Sequence, residues 1–145
     1  MKHIVVAIDN SECSTRAVAQ AKELAKLYGA KLTLLHIYDN KYFDTFLEGS
    51  YNRLDVIEKM RHEVQDQSAV LLAAAKEQCA DLETPIETVS LEGYAAGRII
   101  DFVENNDVDL LVMGSHGMGG FRRFFLGSVT HKVAVSIEKP ILIVR

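Results

Sequence analysis

Cysteine is scarce in this chain: two thiols, Cys13 and Cys79, occur in 145 residues, and neither belongs to a CxxC pair or a Cys/His cluster. That excludes a disulfide scaffold and a structural zinc site, and it suits a reducing compartment. Both cysteines read as small apolar helix residues. Long apolar runs are missing as well. The longest, Ala69 to Ala75, has seven residues, well short of the roughly 20 needed to cross a bilayer, so no membrane partner is expected. Met1-Lys2-His3 and a five-residue apolar run ahead of Asp9 are too short for a signal peptide, which makes the cytoplasm the expected location. An excess of basic charge is also absent, with 16 Lys and Arg against 20 Asp and Glu and a net charge of −4. A nucleic-acid partner, which needs a basic stripe, is not expected. Several site motifs are missing too. There is no GxxxxGK[ST], no GxGxxG (Arg122 stands where the last glycine is needed), no GxSxG and no HExxH.

What is present is a chain with 48% hydrophobic and 25% charged residues, enough to bury one core. Residues 1–145 read as a single domain. Short β-rich runs alternate with helical periods. Ile4 to Ile8, Leu32 to Ile37, Ile86 to Leu91, Val108 to Met113 and Ile141 to Val144 read as strands. Helices are expected after Asn10 and Ser11, over about 53–80 (with Val56, Met60, Val64, Leu71, Ala75 and Cys79 near one stripe), after Gly93, and from about Ser128 to Ser136. Parallel strands need right-handed crossovers. The fold class is therefore α/β: a three-layer, doubly wound, Rossmann-like domain with a parallel sheet of five strands. Ligands in such sheets bind beyond the carboxyl ends of the strands, at Asp9, Tyr38-Asp39, Glu92-Gly93 and Gly114 onward.

The last of these positions opens the most informative stretch, Gly114 to Ser128, with the spacing Gly-x2-Gly-x9-Gly-Ser. It holds five of the nine glycines, and no Asp or Glu occurs from Leu110 to Ile137. Gly114 and Gly117 are expected to let the backbone turn sharply and approach a ligand. The amides of Ser128, Val129 and Thr130, with the Ser128 and Thr130 hydroxyls, are placed to hold phosphate oxygens at a helix start. Gly127→Val is expected to put a branched side chain where phosphate sits.

With Val6 to Ser11 (Val-Ala-Ile-Asp-x-Ser), Leu35-His36-Ile37, Glu92-Gly93 and the closing Pro-Ile-Leu-Ile-Val-Arg, this signature resembles the universal stress proteins, in particular their ATP-binding branch. The likeness spans the whole chain. It implies an adenine nucleotide alpha hydrolase-like sheet with strand order 3-2-1-4-5. ATP is the implied ligand, with AMP or ADP as other choices, carried with Mg²⁺ or Mn²⁺. Ala7 and the Ile37 backbone would border adenine, and Met113 and Gly114 the ribose. Gly117, Gly127, Ser128 and Val129 would receive phosphates. Asp9 would meet the ribose or a nucleotide-bound metal. The resemblance also implies a homodimer through Ile141–Val144 and a regulatory role toward a protein partner not yet identified.

Several residues have two readings. Asp9 either serves a ligand or caps the following helix. His116 faces a phosphate or solvent, and His36 reads as a satisfied core histidine. Arg122 and Arg123 form a flap or stay solvated, while Phe121, Phe124 and Phe125 read as packing. No catalytic base or lysine clamp is evident, which favours a nucleotide-binding regulator. The alternatives are a slow ATPase or a protein that phosphorylates itself at Ser128 or Thr130, and an ATP-independent interaction module.

Overall fold

The computed structural model describes residues 1–39, 54–117 and 125–145. Among the described residues, five parallel strands alternate with four helices: β1 (His3–Ile8), α1 (Glu12–Tyr28), β2 (Lys31–Tyr38), α2 (Leu54–Gln78), β3 (Ile86–Glu92), α3 (Ala95–Asn105), β4 (Leu110–Gly114), α4 (Ser128–Ser136) and β5 (Ile141–Val144). The sheet order is β3-β2-β1-β4-β5. The chain winds outward from β1 to β3, then returns to place β4 against the other side of β1. This reversal opens a crevice at the carboxyl ends of β1 and β4.

The solid apolar runs of the inner strands follow from burial on both faces. Ile4, Val6 and Ile8 pack into a core with Ala17, Val18, Ala21, Leu32 and Leu34. Val5 and Ala7 point the other way and join Leu35, Ile99, Val103, Leu111 and Val133. Helices α1 and α2 therefore cover one face, and α3 and α4 the other. Ser11 is the N-cap of α1, its side chain accepting from the Ser14 amide, and Gly29 ends that helix in the left-handed conformation at φ 63°.

Strand β4 begins at Leu110 rather than Val108. Asp109 is committed to the neighbouring chain there: its Oδ2 accepts from the Lys2 and His3 amides at 2.6 and 2.9 Å. The buried line of α2 also differs from the expected stripe. Ile57, Ser68, Leu72 and Ala75 face the sheet, while Val56 is exposed. A serine takes a core position because it has partners there. Its Oγ lies 2.6 Å from His36 Nδ1 and 2.6 Å from Ser90 Oγ. His36 is thus hydrogen-bonded, as read from the sequence, but half-buried rather than in the core.

Burial pushes the His36 pKa down, and the nearby Asp9 charge only partly opposes this. A histidine depressed in the folded state contributes stability above its unfolded pKa of about 6.5 and loses it as pH falls. Melting temperature should therefore fall between pH 7 and 5 more steeply in the native protein than in His36→Asn, which keeps a polar partner for Ser68. Asp81, Glu87 and Asp109 are held below the usual carboxylate range, so their losses come at lower pH. Parallel slopes in a pH series of thermal melts would refute the assignment.

Candidate nucleotide cleft

The crevice is a cleft of about 440 Å³ with two chemically different ends. One end is apolar. Ala7 sits in register between Leu35 of β2 and Met113 of β4, and Ile37, Ala95 and Ile99 extend this wall. The other end is polar and is made by Asp9, Ser11, His116, Gly117 and the start of α4, where Gly127, Ser128, Val129 and Thr130 line the cleft. Together with Gly114, the eleven residues expected at the nucleotide lie around this one cavity, whereas Tyr38, Asp39, Glu92 and Gly93, at the other strand ends, do not line it.

Helix α4 supplies the electrostatics of the polar end. Its N-cap is Gly127, and no side chain caps it. The helix offers no acceptor to the amides of its first turn, Ser128, Val129 and Thr130; its first bond runs from the His131 amide to Gly127 O at 2.8 Å. Those amides and the helix dipole favour an anion. Thr130 has a different task from the one expected. Its hydroxyl donates to Gly114 O at 2.8 Å, which ties α4 to the end of β4 and leaves Ser128 as the exposed hydroxyl.

The glycines act through close approach rather than sharp turning. Among the described glycines only Gly29 and Gly93 have positive φ. A Cβ on Gly114 would lie 2.8 Å from Cys13 Cβ and 3.1 Å from the Ser14 amide, and one on Gly117 would lie 3.1 Å from Asp9 Oδ2. A Cβ on Gly127 would press on His116 Cα and Ser115 O at 3.3 and 3.4 Å. Gly127 also brings the two ends of the glycine-rich segment together, its amide donating to Ser115 O at 2.7 Å.

Asp9 does not cap α1, and its two carboxylate oxygens have different surroundings. Oδ1 accepts from the Ser11 amide at 2.8 Å, supporting the turn into α1 while Ser11 does the capping. Oδ2 faces Gly117 across the polar end. Lys132 does not line the cleft; its Nζ lies over the Tyr94 ring, 5.8 Å from the centroid. Phe125 is exposed rather than packed. Phe121, Arg122, Arg123 and Phe124 lie outside the described residues. The cleft residues not expected there from the sequence are Ile8, Ser11, Ser14, Leu35, Ala95 and Ile99. The signals for the last three were the odd-numbered face of β2 and the position of α3 just after Gly93.

Gly114→Ala should destabilise the fold by about 1–3 kcal/mol, because the added carbon meets backbone that cannot swing aside. Gly97→Ala, where the new Cβ meets nothing within 4 Å, should be neutral or stabilising. Chemical denaturation of the two variants checks the contrast.

The model of the Universal stress protein family matches residues 1–145 of this chain. Universal stress protein YxiE of Bacillus subtilis is 36% identical over 144 residues, covering 98% of this chain and 97% of that protein. Among solved structures, universal stress protein UspA from Lactobacillus plantarum superposes with a TM-score of 0.83 at 21% identity, covering 99% of this chain and 97% of that one. The universal stress protein from Archaeoglobus fulgidus in complex with dAMP does so with a TM-score of 0.71 at 23% identity, covering 100% and 98%. A family match over every residue, joined to a relative 36% identical over 98% of the chain, has one meaning: this chain belongs to the universal stress protein family.

Proposed function

We propose that the cleft binds an adenine nucleotide, ATP in the first instance, and that occupancy regulates a homodimer and its contacts with a protein partner. The observation that carries the reading is the pairing of an apolar wall with an uncapped helix N-terminus in one cavity. A base with attached phosphates has that division of chemistry. The dAMP held by the Archaeoglobus fulgidus relative supports the adenine class.

The residues suit a metal that arrives with the nucleotide. Among the described residues no group of three or more His, Cys, Asp or Glu could form a metal cage by itself. Asp9 offers one carboxylate oxygen beside Gly117, and a carboxylate in that place would repel bare phosphates. Mg²⁺ or Mn²⁺ between the two would turn repulsion into attraction. Such an ion would neutralise phosphate charge, while Asp9 fixes its side of approach.

A thermal-shift titration tests the reading. Saturating ATP with Mg²⁺ should raise apparent stability by about 2.7 kcal/mol at a hundredfold excess over Kd. Asp9→Ala should remove most of the metal dependence of that shift. No stabilisation at millimolar ATP would overturn the proposal.

Dimerisation is proposed through β5. This strand stands at the sheet edge, consists of Ile-Leu-Ile-Val and is only partly buried along its length, so its outer backbone groups are free to pair with a second copy. Light scattering coupled to size exclusion should give a dimer at micromolar concentration, and a monomer alone would refute it.

A further inference from the structure

His116 has a feature that the cleft's general shape does not explain. Its Nε2 is buried and has no hydrogen-bond partner among the described residues, yet the residue lines the cleft. A buried ring nitrogen left unpaired costs free energy, and a native fold keeps one chiefly where a partner arrives later. The rest of the residue is well held. Its carbonyl accepts from Ser11 Oγ at 3.3 Å, its Cα borders Gly127, and its Nδ1 lies 3.0 Å from the buried Ser115 Oγ. The orphan atom is therefore the free end of a positioned ring.

The polarity of the chain behind that ring can be read from its far end. Arg16 has donors and no acceptor, and its Nη2 donates to Cys13 Sγ at 3.2 Å. Cys13 Sγ lies 3.7 Å from Ser115 Oγ. One direction leaves no proton unused. The Cys13 thiol donates to Ser115, the Ser115 hydroxyl donates to His116 Nδ1, and the remaining ring proton sits on Nε2. The reverse direction strands the thiol proton and makes Nε2 an acceptor, which an anion would repel.

We infer that His116 Nε2–H is the side-chain donor to the phosphoryl end of the ligand, its tautomer set by the Arg16–Cys13–Ser115 relay. The inference rests on the nucleotide reading of the cleft and adds to it a residue that distinguishes phosphorylated ligands from the bare nucleoside. Ser115 acts as a positioning residue. The ring is aimed at the phosphoryl end rather than at the apolar wall of Ala7, Leu35 and Ile99 in this inference, so adenosine should not sense it.

The test uses glutamine, whose amide nitrogen reaches the Nε2 position, and asparagine, whose amide reaches only Nδ1. Calorimetric titration of adenosine, AMP and ATP into the native protein, His116→Gln, His116→Asn and His116→Ala reads the difference. In the Asn and Ala variants AMP and ATP should bind about tenfold or more weakly, while glutamine stays within about threefold of native. Adenosine should bind all four proteins alike. Rescue by asparagine and not glutamine would assign His116 to bracing Ser115 and overturn the inference. Equal losses for adenosine and ATP, or no loss at all, would overturn it too, with the nucleotide reading left standing. A native protein that binds no adenine ligand would bring both down together. Nitrogen-detected NMR of the unliganded protein should find the His116 proton on Nε2; a proton on Nδ1 alone would refute the relay's direction.

Discussion

The end of β4 passes so close to the first turn of α1 that a methyl group at Gly114 would lie 2.8 Å from Cys13 Cβ and 3.0 Å from the Cys13 carbonyl carbon. The arrangement of the cleft depends on this approach. It brings Asp9 and Ser11, at the β1–α1 turn, within reach of the glycine-rich segment that follows β4. Ser11 Oγ can then bond His116 O, and Asp9 Oδ2 can face Gly117. On the other side, Gly114 O accepts from Thr130 and Ser115 O accepts from the Gly127 amide. The first turns of two helices are thereby fastened to one strand end. A side chain at Gly114 would separate α1 from β4 and loosen these contacts together.

This frame explains the local charge of a molecule that is acidic on average. A carboxylate-free segment from Leu110 to Ile137 keeps the field of the α4 amides unopposed, apart from the one carboxylate of Asp9. That exception is informative. A carboxylate beside an anion site costs binding energy unless a cation joins the two, which is the physical ground for the metal in the proposed reading.

The fold was legible in the sequence because buried strands between helices leave continuous apolar runs, and those runs gave the five strands to within a residue or two. The polar end of the cleft was legible through its spacing. Other features were not, for physical reasons. Ser68 looks like a solvent residue until His36 and Ser90 are brought to it from two strands. The Thr130 hydroxyl looks free for a ligand until Gly114 O is found 2.8 Å away. Periodicity also placed Val56 on a buried stripe that in the structure runs through Ile57. The Gly127 contact follows from the distance between two backbone segments, which no residue spacing records.

The two edges of the sheet are built on opposite plans. At β3, Glu87 pairs with Lys31 and Glu92 with Arg61, and Glu87, Thr88 and Ser90 are exposed. Charge placed on a strand edge opposes pairing with another chain. At β5 there is no such charge within the strand, only four apolar residues, and Arg16 of α1 grips the Arg145 carbonyl just beyond it at 2.7 Å. A sequence that guards one edge against pairing and leaves the other bare and fixed in place has the asymmetry that a two-fold dimer requires. Pairing through β5 would also place the dimer seam next to Ser115, whose amide donates to Val144 O at 2.7 Å. The strand edge and the ligand cleft then share one peptide group, a short path by which occupancy of one can be felt at the other.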